Sequence, residues 1–213
     1  MKYIGYRGGP VEEKLEEDIR RCSEEVMECA IPRVSYRVFP LEQDYCLEGT
    51  DFVPGGEDVK QLLSGCDRAV LVAATIGGEI EKRIRRYEVD DLYKALILDA
   101  CASSAIENVC DNFQAELEQK VEEQGNYLTD RFSPGYGDMP FEQQRQVCAI
   151  LNTEKTIGVS LSQSGIMIPR KSVTAILGIS NTKKQQRFRG CEHCSMFDHC
   201  TYRKGGTICG KAK

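Results

Sequence analysis

Residues 131–140 read Arg131-Phe132-Ser133-Pro134-Gly135-Tyr136-Gly137-Asp138-Met139-Pro140, which puts an arginine, two prolines, two glycines and a tyrosine into one short stretch. Pro134 restricts Ser133 to extended backbone, while Gly135 and Gly137 permit positive φ or a close backbone approach. Such a loop is rigid and small, with one fixed cation and one flat ring. The Arg131 guanidinium is built to grip a carboxylate through two parallel hydrogen bonds. Tyr136 offers a face for stacking or for a cation. The plainer reading is an ordinary turn between two helices.

The flanks are helical. Upstream, Glu79 to about Glu123 carries helical periodicity with a break near Glu88-Val89-Asp90. The second piece has Leu92, Leu96, Ile106, Val109, Phe113, Leu117 and Val121 as its apolar stripe. A polar seam of Asp99, Ser103, Ser104, Glu107 and Asp111 recurs at three and four. That seam faces water, or it presents Glu107 to a cationic ligand. Downstream, Asp138 is placed to cap a helix from Met139 to about Asn152, with Val147, Ile150 and Leu151 inward.

Strands are expected at both ends of this helical middle. Arg33 to Phe39 alternates, with Val34, Tyr36 and Val38 predicted inward. Arg68 to Thr75 reads as a buried strand running into Gly77-Gly78, without a nucleotide-loop fingerprint. Ile157, Val159 and Leu161 alternate; Ile166 to Ile168 leads into a Pro169-Arg170-Lys171 turn; Ser172 to Ile179 is a further strand. A surface helix is predicted over Pro10 to Ile31, and a short one from Glu57 to Ser64, ended by Gly65. Strands joined by returns rather than by regular βαβ units predict an α+β fold, mostly antiparallel sheet packed with long helices.

The 213 residues allow a real core, and the formal charge of −5 argues against a broad nucleic-acid-binding face. No apolar run approaches the roughly 18 residues that span a membrane, and no secretion signal is evident, so a cytoplasmic protein is expected. Of eleven cysteines, seven are scattered in apolar patterns (Cys22, Cys29, Cys46, Cys66, Cys101, Cys110 and Cys148). These read as small core residues. The other four, Cys191, Cys194, Cys200 and Cys209, crowd a polar tail. Four thiols so close, in a segment unable to form a core, predict a metal site. An iron–sulfur cluster of the [4Fe–4S] type, a zinc knuckle and unliganded thiols all remain open. The expected division is a domain over 1–182 and a cysteine-rich tail over 183–213.

The Arg131-x-x-Pro134-Gly135-Tyr136 spacing resembles the signature of the activation (reactivation) domain of cobalamin-dependent methionine synthase. The likeness runs from the helix around Leu98–Phe113, through the loop and its following helix, to the segment Ser164 to Gly178, and is similar to small free-standing members with a cysteine tail. The resemblance implies a helmet-like α+β unit that binds S-adenosylmethionine (SAM) and docks over cobalamin. One electron and the SAM methyl group then restore methylcobalamin from the inactive Co(II) state. It also implies that Arg131 clamps the SAM carboxylate and that Glu107 meets its amino group or ribose. The backbone at Ser133 and Gly135 would approach the ligand, and Tyr136 would shape the pocket. No catalytic side chain is implied, in keeping with the absence of histidine before position 193. Where the family has aromatic contacts after the last strand, this chain has Lys183-Lys184-Gln185-Gln186. Nor does it carry an Asp-x-His-x-x-Gly cobalt-ligand motif. The resemblance therefore implies a separate corrinoid partner and an electron donor, while charge and hydropathy lead to the expectation of no nucleic acid and no membrane. The alternatives are an iron–sulfur activator of corrinoid proteins with a vestigial SAM pocket, and a SAM-responsive binding module with structural zinc.

Overall fold

The computed structural model describes residues 12–183 together with residue 198. The four tail cysteines and the predicted helix start at Pro10 lie outside the described residues. In chain order the elements are α1 (Glu13–Cys29), β1 (Arg33–Pro40), α2 (Glu57–Leu63), β2 (Arg68–Thr75), α3 (Glu79–Asp90), α4 (Leu92–Glu122) and β3 (Tyr127–Leu128). A 3₁₀ turn (Phe141–Gln143), α5 (Gln144–Leu151), α6 (Thr153–Ile157), β4 (Ser160–Leu161), β5 (Met167–Ile168) and β6 (Ser172–Ser180) follow.

Four strands form one sheet in the order β1-β2-β6-β3, and β4 pairs with β5 in a hairpin. The directions follow from the hydrogen bonds at the strand ends. Ile31 donates to the Ile76 carbonyl and Leu41 to that of Asp67, so β1 and β2 are antiparallel. Asp67 donates to Ile179 and Ile76 to Lys171, so β2 and β6 are antiparallel too. β3 continues the pattern, with Tyr127 opposite Ser180 and Leu128 opposite Ile179. The predicted α+β class with an antiparallel sheet and long helices is the observed one.

The chain divides into two compact units. One takes in residues 12–35, 73–116 and 151–173; the other takes in 36–72, 117–150 and 174–183. In the first, the apolar positions of α1 that recur at three and four, Cys22 and Val26, are buried with Ile76, Ile80, Ile84, Ile97, Leu98, Ala102, Ile106 and Cys110. α1 stops where Ala30 turns extended, two residues before Pro32 bars continuation. A charged cluster closes this unit's edge. Glu25, whose side chain is 14 % exposed, accepts from Lys94 Nζ at 3.0 Å, Arg83 at 3.3 Å and the Tyr87 hydroxyl at 3.2 Å. Burial pushes the Glu25 carboxyl up, but the bonds from Lys94, Arg83 and Tyr87 outweigh it and hold the group below the usual glutamate range. In the second unit Val59 and Leu63 of α2 are fully buried, as are Leu47, Phe52, Leu71, Val147, Ile176 and Leu177.

Several local expectations are corrected. Tyr36 and Val38 are exposed and Phe39 is buried instead, with Arg37 over its ring at 4.9 Å. That alternating face is covered only at Val34, which packs against the core, so periodicity alone did not select the buried positions of this edge strand. Leu92 and Leu96 are also exposed, because the first turns of α4 bury Ala95, Ile97 and Leu98 instead. Ile157 ends α6 rather than belonging to a strand, since Asn152 and Gly158 at its two ends adopt left-handed backbone. Of the seven scattered cysteines, all reduced, Cys22, Cys110 and Cys148 are buried; the other four are half-buried. Burial raises the Cys22 thiol to about 11.

Because Glu25 is depressed in the folded state, its contribution is complete above about pH 4.5, the ordinary glutamate value, and fades as pH falls through the lower folded value. Glu25→Gln is expected to cost about 2 kcal/mol at pH 7 by urea denaturation. The two proteins should converge once the pH has fallen through the lowered folded value of Glu25.

Candidate functional site

The loop owes its position to β6. Thr129 donates its amide to the Gly178 carbonyl at 2.9 Å, and three residues later Phe132 exchanges both backbone bonds with Ile176, at 2.9 and 2.8 Å. In a regular ladder Arg131 would be the partner of Ile176. Here Asp130 and Arg131 together oppose Leu177, one residue too many, which is a β-bulge. Bulges kink a strand and re-aim a side chain. Arg131, half-buried, is the residue so displaced.

Past the bulge the chain turns sharply. Tyr136 donates to the Ser133 carbonyl at 3.1 Å, with Pro134 and Gly135 at the two central positions and Gly135 at φ +88°. Proline followed by a positive-φ glycine is the chemistry of a type II turn. Pro134 is buried, and a Cβ on Gly135 would press on Phe141 at 3.3 Å. Met139 donates to Tyr136, and Gly135 to Met139, closing the loop on itself. Gly137, at φ +51°, lies so close to Phe132 that a Cβ would stand 3.2 Å from its ring. Tyr136 itself is 62 % exposed, its ring presented to solvent.

Asp138 does not cap the helix that follows it. Its carboxylate accepts from Glu57 N at 2.6 Å and Asp58 N at 3.2 Å, so it caps α2 across a long sequence gap. The following residues are instead a 3₁₀ turn, and α5 starts at Gln144. Gln143 adds a second tie, accepting from Gly55 N and donating to Val53 O, both at 2.8 Å. No local signal announces either bond, because each joins residues about eighty or ninety apart. Both Asp138 oxygens are thereby engaged by α2 amides.

Glu107 belongs to the other unit, half-buried on α4. Its seam is not simply a solvated face. Lys171, with 11 % of its side chain exposed, bonds Asp99 Oδ1 at 2.8 Å and Ser103 Oγ at 2.8 Å, about two turns and one turn before Glu107. The neighbouring Arg170 amide donates to the buried Glu81 carboxylate. So the Pro169–Lys171 turn is fastened to α3 and α4 by two charged side chains. The structure thus assembles Arg131, Ser133, Gly135 and Tyr136 on one loop and sets Glu107 on α4.

Two clefts lie away from this loop. One of about 210 Å³ between α1 and α4 is lined by Ile19, Ser23, Met27, Ala100, Cys101 and Asn108 among others, with no charged side chain. A second, of about 70 Å³, is lined by Glu81, Arg85, Glu88, Asp99, Arg170 and Lys171, acids and bases in equal number. Among the described residues no cluster of three or more His, Cys, Asp or Glu side chains is placed to hold a metal ion. Nor is any described helix long and apolar enough to cross a membrane.

Comparison with known proteins supplies the rest. No curated protein sequence matches the chain. Among solved structures, the crystal structure of the MetH reactivation domain bound to AdoHcy superposes with a TM-score of 0.59 at 16 % identity, covering 97 % of this chain and 79 % of that one. At that identity the likeness establishes the fold. The family model for the activation domain of vitamin B12-dependent methionine synthase matches residues 40–195. That span takes in Glu107 and the whole Arg131–Pro140 loop, and it ends between Cys194 and Cys200. With most of its length so matched, and with the fold to go with it, this chain belongs to the family of vitamin B12-dependent methionine synthase activation domains.

Proposed function

We propose that this chain binds S-adenosylmethionine at the Arg131–Tyr136 loop and acts in trans, delivering the methyl group to a cobalamin held by a B12-dependent methionine synthase or a related corrinoid methyltransferase. The observation that carries the reading is the bulge-borne Arg131 beside a locked Pro134-Gly135 turn and an exposed Tyr136. A guanidinium, a backbone free of bulky side chains and an aromatic face match the three parts of SAM: carboxylate, main body and adenine or sulfonium. Arg131 grips the carboxylate. Ser133 and Gly135 offer backbone to the ligand, and Tyr136 bounds it. Glu107 takes the amino group or ribose, a role that stands on the family resemblance.

Cobalamin on the partner supplies the nucleophilic metal once one electron has reduced Co(II), and S-adenosylhomocysteine leaves after methyl transfer. The residues of this chain have no proton to move. Their part is to hold a cationic methyl donor in line and away from water. A separate electron donor is required, and the setting is cytoplasmic. Cys191, Cys194, Cys200 and Cys209 relay the electron if they hold an iron–sulfur cluster. Their spacing also favours a second reading, an iron–sulfur activator whose SAM pocket is vestigial; bound zinc would make the chain a SAM-responsive module instead.

Calorimetric titration separates these readings at the loop. Arg131→Ala is expected to weaken SAM binding at least about tenfold, and Arg131→Lys to recover only part of the loss, because lysine lacks the planar fork. Unchanged binding by the alanine variant would remove Arg131 from the site.

The Glu107 assignment has its own test. Glu107→Gln should weaken SAM about fivefold at low salt and less at high salt, as screening predicts for a cationic ligand.

Adding the protein and a reductant to Co(II)-inactivated methionine synthase should restore turnover only when SAM is present. Restoration without SAM favours the reductive activator. After anaerobic purification, iron and sulfide in stoichiometric amounts support the relay, and zinc alone contradicts it.

A further inference from the structure

The ladder between β6 and the approach to the loop has a gap at the bulge, and one side chain closes it. In a regular antiparallel pair Thr129 and Gly178 would exchange two backbone bonds. Only one forms, from Thr129 N to the Gly178 carbonyl at 2.9 Å. The Gly178 amide donates instead to the Thr129 hydroxyl at 2.8 Å, and that hydroxyl passes its own hydrogen to the Asp130 carbonyl at 3.0 Å. The Thr129 side chain therefore stands in for a main-chain acceptor and fixes the peptide that leads directly into Arg131. Thr129 is 9 % exposed, so water is poorly placed to substitute. A Cβ on Gly178 would meet Cys66 Sγ at 2.5 Å, Leu63 Cδ2 at 3.1 Å and Thr129 Cγ2 at 3.2 Å, so the glycine leaves all three side chains their room.

We propose that Thr129 is a positioning residue for Arg131, its hydroxyl holding the bulge that aims the guanidinium at the carboxylate of the ligand. The proposal rests on the SAM reading of the loop and adds a residue outside the Arg-x-x-Pro-Gly-Tyr signature. Its test compares SAM with decarboxylated SAM, which lacks the group that Arg131 grips. Thr129→Val keeps the side-chain shape and removes the hydroxyl; Thr129→Ser keeps the hydroxyl.

By calorimetry, Thr129→Val should weaken SAM about tenfold and decarboxylated SAM less than about twofold, and it should add nothing in an Arg131→Ala background. Thr129→Ser should remain within about threefold of wild type. Equal weakening of both ligands, additivity with Arg131→Ala, or no effect at all would overturn the proposal. If Thr129→Val does not fold, Thr129→Cys, whose sulfur is a poor acceptor, makes the same comparison. If wild type binds no SAM, the reading of the loop fails on its own account. The Arg131 Nε–H resonance then decides the positioning role: displacement in the valine variant with return in the serine variant upholds it, and an unmoved resonance overturns it.

Discussion

Two backbone hydrogen bonds between Phe132 and Ile176 fix everything distinctive about this loop. They start one residue later than a regular ladder from Thr129 and Gly178 would allow. That offset places Asp130 and Arg131 opposite the single residue Leu177. β6 is buried at every position except Val173, so the strand against which the loop is registered has little freedom to slide. The far side of the loop is equally constrained. Asp138 and Gln143 tie it to the segment from Val53 to Asp58, and Pro134 and Met139 are buried beneath it. The backbone that carries Arg131 and Tyr136 is thus set before a ligand arrives, which lowers the ordering entropy that binding would cost.

Such preorganisation suits the chemistry of the family. The proposed methyl transfer asks no acid or base of the protein, so its demand falls on placement. The charged groups that the structure does bury act as fasteners. Lys171 joins the Pro169–Lys171 turn to Asp99 and Ser103 of α4; Glu81 holds the Arg170 amide; Glu25 gathers Lys94, Arg83 and Tyr87. Each pairs a buried or half-buried charge with polar partners, which is how such a charge offsets its desolvation cost. Within its own unit, the seam that carries Glu107 is thus part salt bridge, and less of it is free for water than its spacing alone suggests.

Much of this was readable from local sequence. α1, α2, β2, the break between α3 and α4, and β6 all follow from periodicity and from Gly and Pro punctuation. The turn at Pro134-Gly135 follows from the φ demands of those two residues. What escaped was non-local. Asp138 sits where a helix cap belongs, yet its nearest orphan amides come from α2, which only the tertiary fold brings alongside. The register offset at Thr129 leaves no mark on composition, since a threonine in an extended segment looks the same with or without a bulge. Tyr36 and Val38 alternate as a buried face would, but the alternation cannot say which face an edge strand covers. The tail cysteines, Cys191, Cys194, Cys200 and Cys209, fall outside the described residues, and their spacing remains the ground for the metal-site proposal.

SAM binding at the Arg131–Tyr136 loop can be followed by amide-resolved NMR of isotope-labelled protein during a SAM titration. Binding there should give saturable shifts at Gly135, Tyr136 and Gly137, with Arg131 Nε–H moving in step. Shifts confined to the α1–α4 cleft around Ser23, Cys101 and Asn108, with the loop unmoved, would contradict it.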